Sequence, residues 1–140
     1  MINNHGDNHY APEVIEDISK WHYDRNLIEG ATTWSQSKKL LEEYIELVAA
    51  QMPEASPELI ADQVLDWVRE LLAAGRIKTV KTEDAYDALI DSIGDQGVVA
   101  INICEREQVT YADALHGSFK EIEHRKGRMV DGLYVKESDL

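Results

Sequence analysis

Apolar residues recur along this chain at intervals of three and four, the spacing that gathers them on one face of a helix. Val14, Ile18 and Trp21 carry it first, and Pro12 suits an opening turn, so a helix is expected over residues 12 to about 26. Gly30-Ala31-Thr32-Thr33 interrupts the pattern. Thr33 or Ser35 is placed to cap a second helix reaching about residue 52, and Pro53 stops it. Ser56-Pro57-Glu58 is a start signal of a capping side chain, a proline and a first-turn acid. Ile60, Val64, Trp67 or Val68, and Leu71 then form a stripe that Gly75 closes.

Residues 76–81 are basic and partly β-branched and read as a connector, and Thr82 or the acids after it begin a long helix to about residue 107. Gly94 and Gly97 cost that helix about 1 kcal/mol each relative to alanine, which suggests a close backbone approach by another helix or a ligand. Thr110-Tyr111-Ala112-Asp113 has capping-box spacing, with Asp for the usual Glu or Gln, and opens a last helix ending near Gly127. Residues 129–135 read as two short strands around an Asp131-Gly132 turn. With no internal repeat or linker, the expected fold is all-α: one domain over residues 1–140, an antiparallel bundle of about five helices with a carboxyl-terminal β-hairpin.

Composition narrows the setting. A chain of 140 residues can bury a core without disulfides or structural metal, and its single cysteine, Cys104, fits a reducing, cytoplasmic compartment. No apolar run approaches the roughly 20 residues of a membrane span, and the first twelve residues are polar, unlike a signal peptide. A soluble protein with no membrane partner is expected. The formal charge of −13 argues against nonspecific nucleic-acid binding, since a polyanion repels a polyanion.

The acids are patterned. On a helical wheel Gln36, Lys39, Glu43, Glu46 and Ala50 fall within roughly 80°, opposite Leu40, Leu41, Tyr44, Leu47 and Val48, with Glu42 at the edge of the polar stripe. Asp84, Asp87, Asp91, Asp95 and Asn102 form a second stripe of similar width on the long helix. Like charges at this spacing repel by about 0.2 to 0.5 kcal/mol per adjacent pair, a penalty that a bound cation removes. A solvated acidic face, or one neutralised by a neighbouring subunit's lysines, is the alternative.

Three blocks carry a family resemblance: Trp21-His22-x-x-Arg25-Asn26-Leu27-Ile28-x-Gly30-Ala31-Thr32, Gln36-x-x-Lys39-Leu40-x-Glu42-Glu43-x-x-Glu46-Leu47, and Asp91-x-Ile93-Gly94-Asp95-x-x-Val98-Val99-x-Ile101-Asn102. Arg125-Lys126-Gly127-x-Met129-x-x-Gly132-x-Tyr134-Val135-Lys136-Glu137-x-Asp139 follows at the carboxyl end. In this order the blocks span nearly the whole chain, which resembles the MazG-like members of the all-α nucleoside triphosphate pyrophosphohydrolases, common in phages and bacteria. That family's signature is Glu-x-x-Glu and, after a spacer, Glu-x-x-Asp. Glu43 and Glu46 match the first pair and Asp95 the final Asp, whereas Ser92 stands where a carboxylate is wanted. Asp91 shares a face with Asp95 at i, i+4 and takes over that role. Residues at about 55–81 look like a helical insertion relative to compact members.

The resemblance implies hydrolysis of a (d)NTP, dGTP among the preferred substrates in some phage members, to a (d)NMP and pyrophosphate. It implies Mg²⁺, or Mn²⁺ in its place, held by Glu43, Glu46, Asp95 and Asp91, with Glu42 as a further ligand or as the base accepting a water's proton. Lys39, Arg125 and Lys126 are the candidates for phosphate oxygens, because an acidic site needs further cations to admit a tetra-anion; a helix-end or surface role is the alternative for each. Trp21, His22, Trp34 and Asn102 are candidates for the base, and Trp21 equally suits a core position. Family members assemble as dimers or dimers of dimers with neighbouring helices closing the site, so a homodimer or homotetramer is expected, in bacterial cytoplasm or in that of a phage host.

Other classes compete. A di-iron bundle needs two Glu-x-x-His motifs, and only Glu121-Ile122-Glu123-His124 is present; His5, His9, His22 and His116 lack the spacing. A nonenzymatic acidic interaction module, or a DNA mimic, needs no convergence of Glu43, Glu46 and Asp95. Within the superfamily, a dUTPase or a phosphoribosyl-ATP pyrophosphohydrolase shares the carboxylate logic.

Overall fold

Five α-helices and a β-hairpin make up the computed structural model, which describes residues 11–140. The polar amino terminus and two of the histidines weighed above, His5 and His9, lie outside the described residues. The helices are α1 (Ala11–Asp24), α2 (Thr33–Ala50), α3 (Pro57–Ala73), α4 (Ala85–Arg106) and α5 (Tyr111–Ile122), and the strands β1 (Gly127–Val130) and β2 (Leu133–Lys136). The all-α class with its terminal hairpin is therefore present. Among the described residues no helix is long and apolar enough to cross a membrane.

The described residues divide into two compact units, one of residues 32–82, the other of residues 11–31 and 83–140. The first is a helical hairpin of α2 on α3. Thr32 caps α2, one residue earlier than expected, because its hydroxyl accepts from the Ser35 amide at 3.0 Å while the Ser35 hydroxyl accepts from the Thr32 amide at 3.0 Å. Ser56 caps α3 as predicted, accepting from the Leu59 amide at 3.2 Å, with Pro57 in the first turn. Val48 and Val64 are its buried apolar side chains. Leu40, Leu41, Tyr44 and Leu47 of α2, and Leu65, Trp67, Val68 and Leu71 of α3, stay between about a third and a half exposed.

In the second unit α5 packs on α1 and on α4, and its core holds Val14, Trp21, Leu27 and Ala112. Thr110 is buried and caps α5 as predicted, accepting from the Asp113 amide at 3.0 Å. Helix α5 then stops about five residues short of Gly127, because Trp21 of α1 and Arg25 just past its end take the carbonyls at and after its last residue. The Trp21 indole donates to the Ile122 carbonyl at 2.9 Å, and the Arg25 guanidinium donates to the carbonyls of Glu123 at 2.7 Å and Arg125 at 3.2 Å. Arg25 lies 4.7 Å over the Trp21 ring, Tyr134 meets that ring edge-on, and the Tyr134 hydroxyl donates to the Arg125 carbonyl at 3.2 Å. Asp131 and Gly132 both have positive φ, 51° and 79°, the requirement of the tight turn foreseen for the hairpin. The strands pair antiparallel with Gly127 opposite Lys136, and a Cβ at Gly127 would overlap the Val135 carbonyl oxygen.

At Gly94 and Gly97, where a close approach by another helix or a ligand is expected, a Cβ would have no described residue of this chain within 4 Å beyond its own helix backbone. Among the described residues, neither glycine is required by a neighbour.

Candidate functional site

The polar face of α2 carries the first carboxylates. Lys39 reaches both Glu43, at 3.2 Å, and Glu42, at 3.4 Å, pairings that one helical turn makes automatic. Partial burial pulls the Lys39 ammonium toward neutrality, but the two carboxylates outweigh it, and its pKa stands above the ordinary lysine value. Glu46, one turn beyond Glu43, has its carboxyl pushed above the usual glutamate range. The protonated form is favoured first by a hydrogen bond to Glu43 and then by that neighbour's charge, with Lys39 too little to offset them. Glu42, Glu43 and Glu46 are all exposed. The face is thus a row of oxygen donors in which charge is under-compensated at Glu46.

Helix α4 carries the second set. Asp84, just before its first residue, and Asp87, Asp91 and Asp95 within it are exposed at intervals of three and four residues. Ser92, at the position where a carboxylate was wanted, turns back on its own helix, its hydroxyl donating to the Leu89 carbonyl at 2.9 Å. Asn102, at the far end of the stripe, accepts through its amide oxygen from Arg106 at 2.9 Å. Glu42, Glu43, Glu46 and Lys39 belong to the unit of residues 32–82, and Asp91, Asp95, Asn102, Trp21, His22, Arg125 and Lys126 to the other. Within each unit, among the described residues, no three His, Cys, Asp or Glu side chains stand grouped to hold one ion.

The aromatic candidates differ sharply. Trp21 is buried and committed at its nitrogen to Ile122, whereas Trp34, in the first turn of α2, is 87 % exposed. His22 is half-buried with Nδ1 2.8 Å from the Ile18 carbonyl, so that nitrogen carries the hydrogen and Nε2 is left to accept or coordinate.

Arg125 and Lys126 follow α5 and line an open basin with Glu121, His124, Lys136, Glu137 and Ser138. Lys136 belongs to the same carboxyl-terminal block as Arg125, but no role is expected of it, and Ser138 is an unassigned position of that block. The signal lay in the Asp131-Gly132 turn, which sets the strand register that brings β2 back beside Gly127. No protein-family model, curated protein or solved structure matches this chain.

Proposed function

We propose that the chain is a metal-dependent nucleoside triphosphate pyrophosphohydrolase that converts a (d)NTP to a (d)NMP and pyrophosphate. The observation that carries this reading is the face of α2, where Glu43 and Glu46 stand one turn apart with the Glu46 carboxyl pushed up by its neighbour. Two carboxylates in mutual conflict gain from a hard divalent cation, and Glu43, Glu46, Asp91 and Asp95 offer oxygen donors, the set that suits Mg²⁺. Glu43, Glu46, Asp91 and Asp95 would hold it. When bound, such a cation neutralises the triphosphate and makes a water more acidic.

The remaining work falls to the chain's own groups. Glu42 accepts the proton of a water whose oxygen attacks the α-phosphorus; the bond from that phosphorus to the α,β-bridging oxygen breaks, and pyrophosphate leaves. Lys39 binds a phosphate oxygen by exchanging its contacts with Glu42 and Glu43 for it, and Arg125 and Lys126 add positive charge. Exposed Trp34 offers a stacking surface for the base and Asn102 an amide for its edge.

A homo-oligomer, a dimer or tetramer, is part of the same reading. It is supported by the apolar faces of α2 and α3, and by Ile90, Ile93, Val98 and Val99 of α4, which are half exposed or more.

Release of pyrophosphate from each dNTP and NTP with Mg²⁺ or Mn²⁺, dGTP first, tests the activity. Glu46→Ala or Asp95→Asn is expected to abolish it, and Glu42→Gln to slow turnover by roughly 10²- to 10⁴-fold. Inactivity of the wild-type chain across all nucleotides and both metals would sink the proposal and leave the acidic interaction module.

A further inference from the structure

The basin beside the hairpin is built from two segments far from the carboxylate row in sequence, residues 121–126 and 136–138. They are held together by the Glu137 amide, which donates to the Lys126 carbonyl at 2.7 Å, and by the pairing of Gly127 with Lys136. Its volume of about 630 Å³ falls within the range of small-ligand sites, ~300 to 1,000 Å³.

Three cations meet there in a chain whose net charge is −13. Lys20, Lys39, Arg69 and Lys120 are each answered by a carboxylate on their own helix or just past its end. Among the described residues neither Arg125 nor Lys126 has a carboxylate within 4.0 Å, and Lys136 has only exposed Asp139 at 3.7 Å. Glu121 and Glu137 also line the basin and Asp139 stands against Lys136, so cations and carboxylates balance there, three of each, in a chain that is otherwise strongly acidic. Glu123, beside it, is occupied by Lys120 at 3.3 Å and His124 at 3.6 Å.

A helix carboxyl terminus ordinarily repels anions, because its last carbonyls carry partial negative charge. Here Trp21 and Arg25 take the carbonyls of Ile122, Glu123 and Arg125, and the Arg25 guanidinium sets a full positive charge against that end. The objection to an anion is removed by two side chains, one on α1 and one just past its end.

We propose that this basin binds a polyphosphate anion, with Arg125, Lys126 and Lys136 supplying charge and Ser138 a hydroxyl. It deepens the pyrophosphohydrolase reading, and rests on that reading only for the anion's source: the triphosphate tail of the substrate, or free pyrophosphate.

Isothermal titration of the full chain with pyrophosphate in metal-free buffer tests it. One site per chain is expected, weakened at least tenfold by Lys136→Gln and by Arg125→Gln, with melting temperatures showing both variants folded. Arg128→Gln removes the same charge from β1 outside the basin and is expected to bind as wild type. No binding, or an equal loss in Arg128→Gln, overturns the site.

A raised KM for the nucleotide in Lys136→Gln identifies the anion as the substrate's tail, and lost pyrophosphate binding at unchanged KM identifies a separate product or effector site; either supports the basin. Lys136-dependent pyrophosphate binding by a chain that hydrolyses no nucleotide would keep the basin and sink the hydrolase. Active enzyme without such binding would do the reverse.

Discussion

Arg25→Ala removes the cap that the turn after α1 places on the end of α5. Two charge-assisted hydrogen bonds are lost, at 2.7 and 3.2 Å, each of a kind worth about 1.5 to 3 kcal/mol when its acceptor is shielded. The stacking of the guanidinium 4.7 Å over Trp21 adds about 0.5 to 1 kcal/mol. Both acceptor residues are only half-buried, so water recovers part of the loss and the low end applies, a net cost of about 3 kcal/mol. Against the ~5 to 15 kcal/mol that holds a typical domain together, that is a large fraction. Urea unfolding at fixed protein concentration should show a midpoint lower by roughly 1 to 3 M with an unchanged slope. Arg25→Lys should fall between, since one ammonium cannot span two carbonyls while lying flat on an indole. A midpoint for Arg25→Ala within 0.5 kcal/mol of wild type, by the same ~1 to 3 kcal/mol/M conversion, would refute the capping account.

Gly94→Ala should stabilise the chain by about 1 kcal/mol in thermal unfolding, because the site has room for a methyl group and a glycine inside α4 costs about that much; destabilisation would reveal a partner or ligand against that face. The Glu46 pKa is raised in the fold, so its contribution to stability is fully present below the unfolded value of 4.5 and is lost as pH rises through the folded value. Glu46→Gln should therefore be more stable than wild type at neutral pH by roughly 0.2 to 0.5 kcal/mol, the size of a like-charge helical pair, with the difference vanishing below about pH 4.5 in denaturant titrations. Light scattering should give twice or four times the chain mass of 15.9 kDa, and a monomer at micromolar concentration would remove the oligomer from the reading.

What could be read from the residues alone follows the range of each interaction. The Ser56-Pro57 start of α3, the Thr110 cap and the Asp131-Gly132 turn are each settled within four residues, and each is present where it was expected. So is the gathering of Lys39, Glu42 and Glu43 on one face of α2, which needs only the helical period. The early end of α5 was hidden because its cause lies 98 to 101 residues away, in Trp21 and Arg25. The sequence alone suggests other roles for both, a base-binding or core residue for Trp21 and a place in a block of the family resemblance for Arg25. The basin was hidden for a related reason, since Lys136 and Ser138 join Arg125 only after the hairpin has closed. At Gly94 and Gly97 a propensity cost suggests a neighbour, and the described residues of this chain supply none.

The bond from Trp21 to Ile122 spans 101 residues of chain, which also sets a timetable. At a synthesis rate of about 5 to 20 residues per second, α1 emerges roughly 5 to 20 s before the segment that buries it. Throughout that interval Val14 and Trp21 lack the partner helix they pack against, while the hairpin of α2 and α3 can already form from its own short-range contacts. The earliest-made helix of the described chain is among the last to find its place, and a nascent chain stalled before residue 122 should expose it to chaperones or proteases.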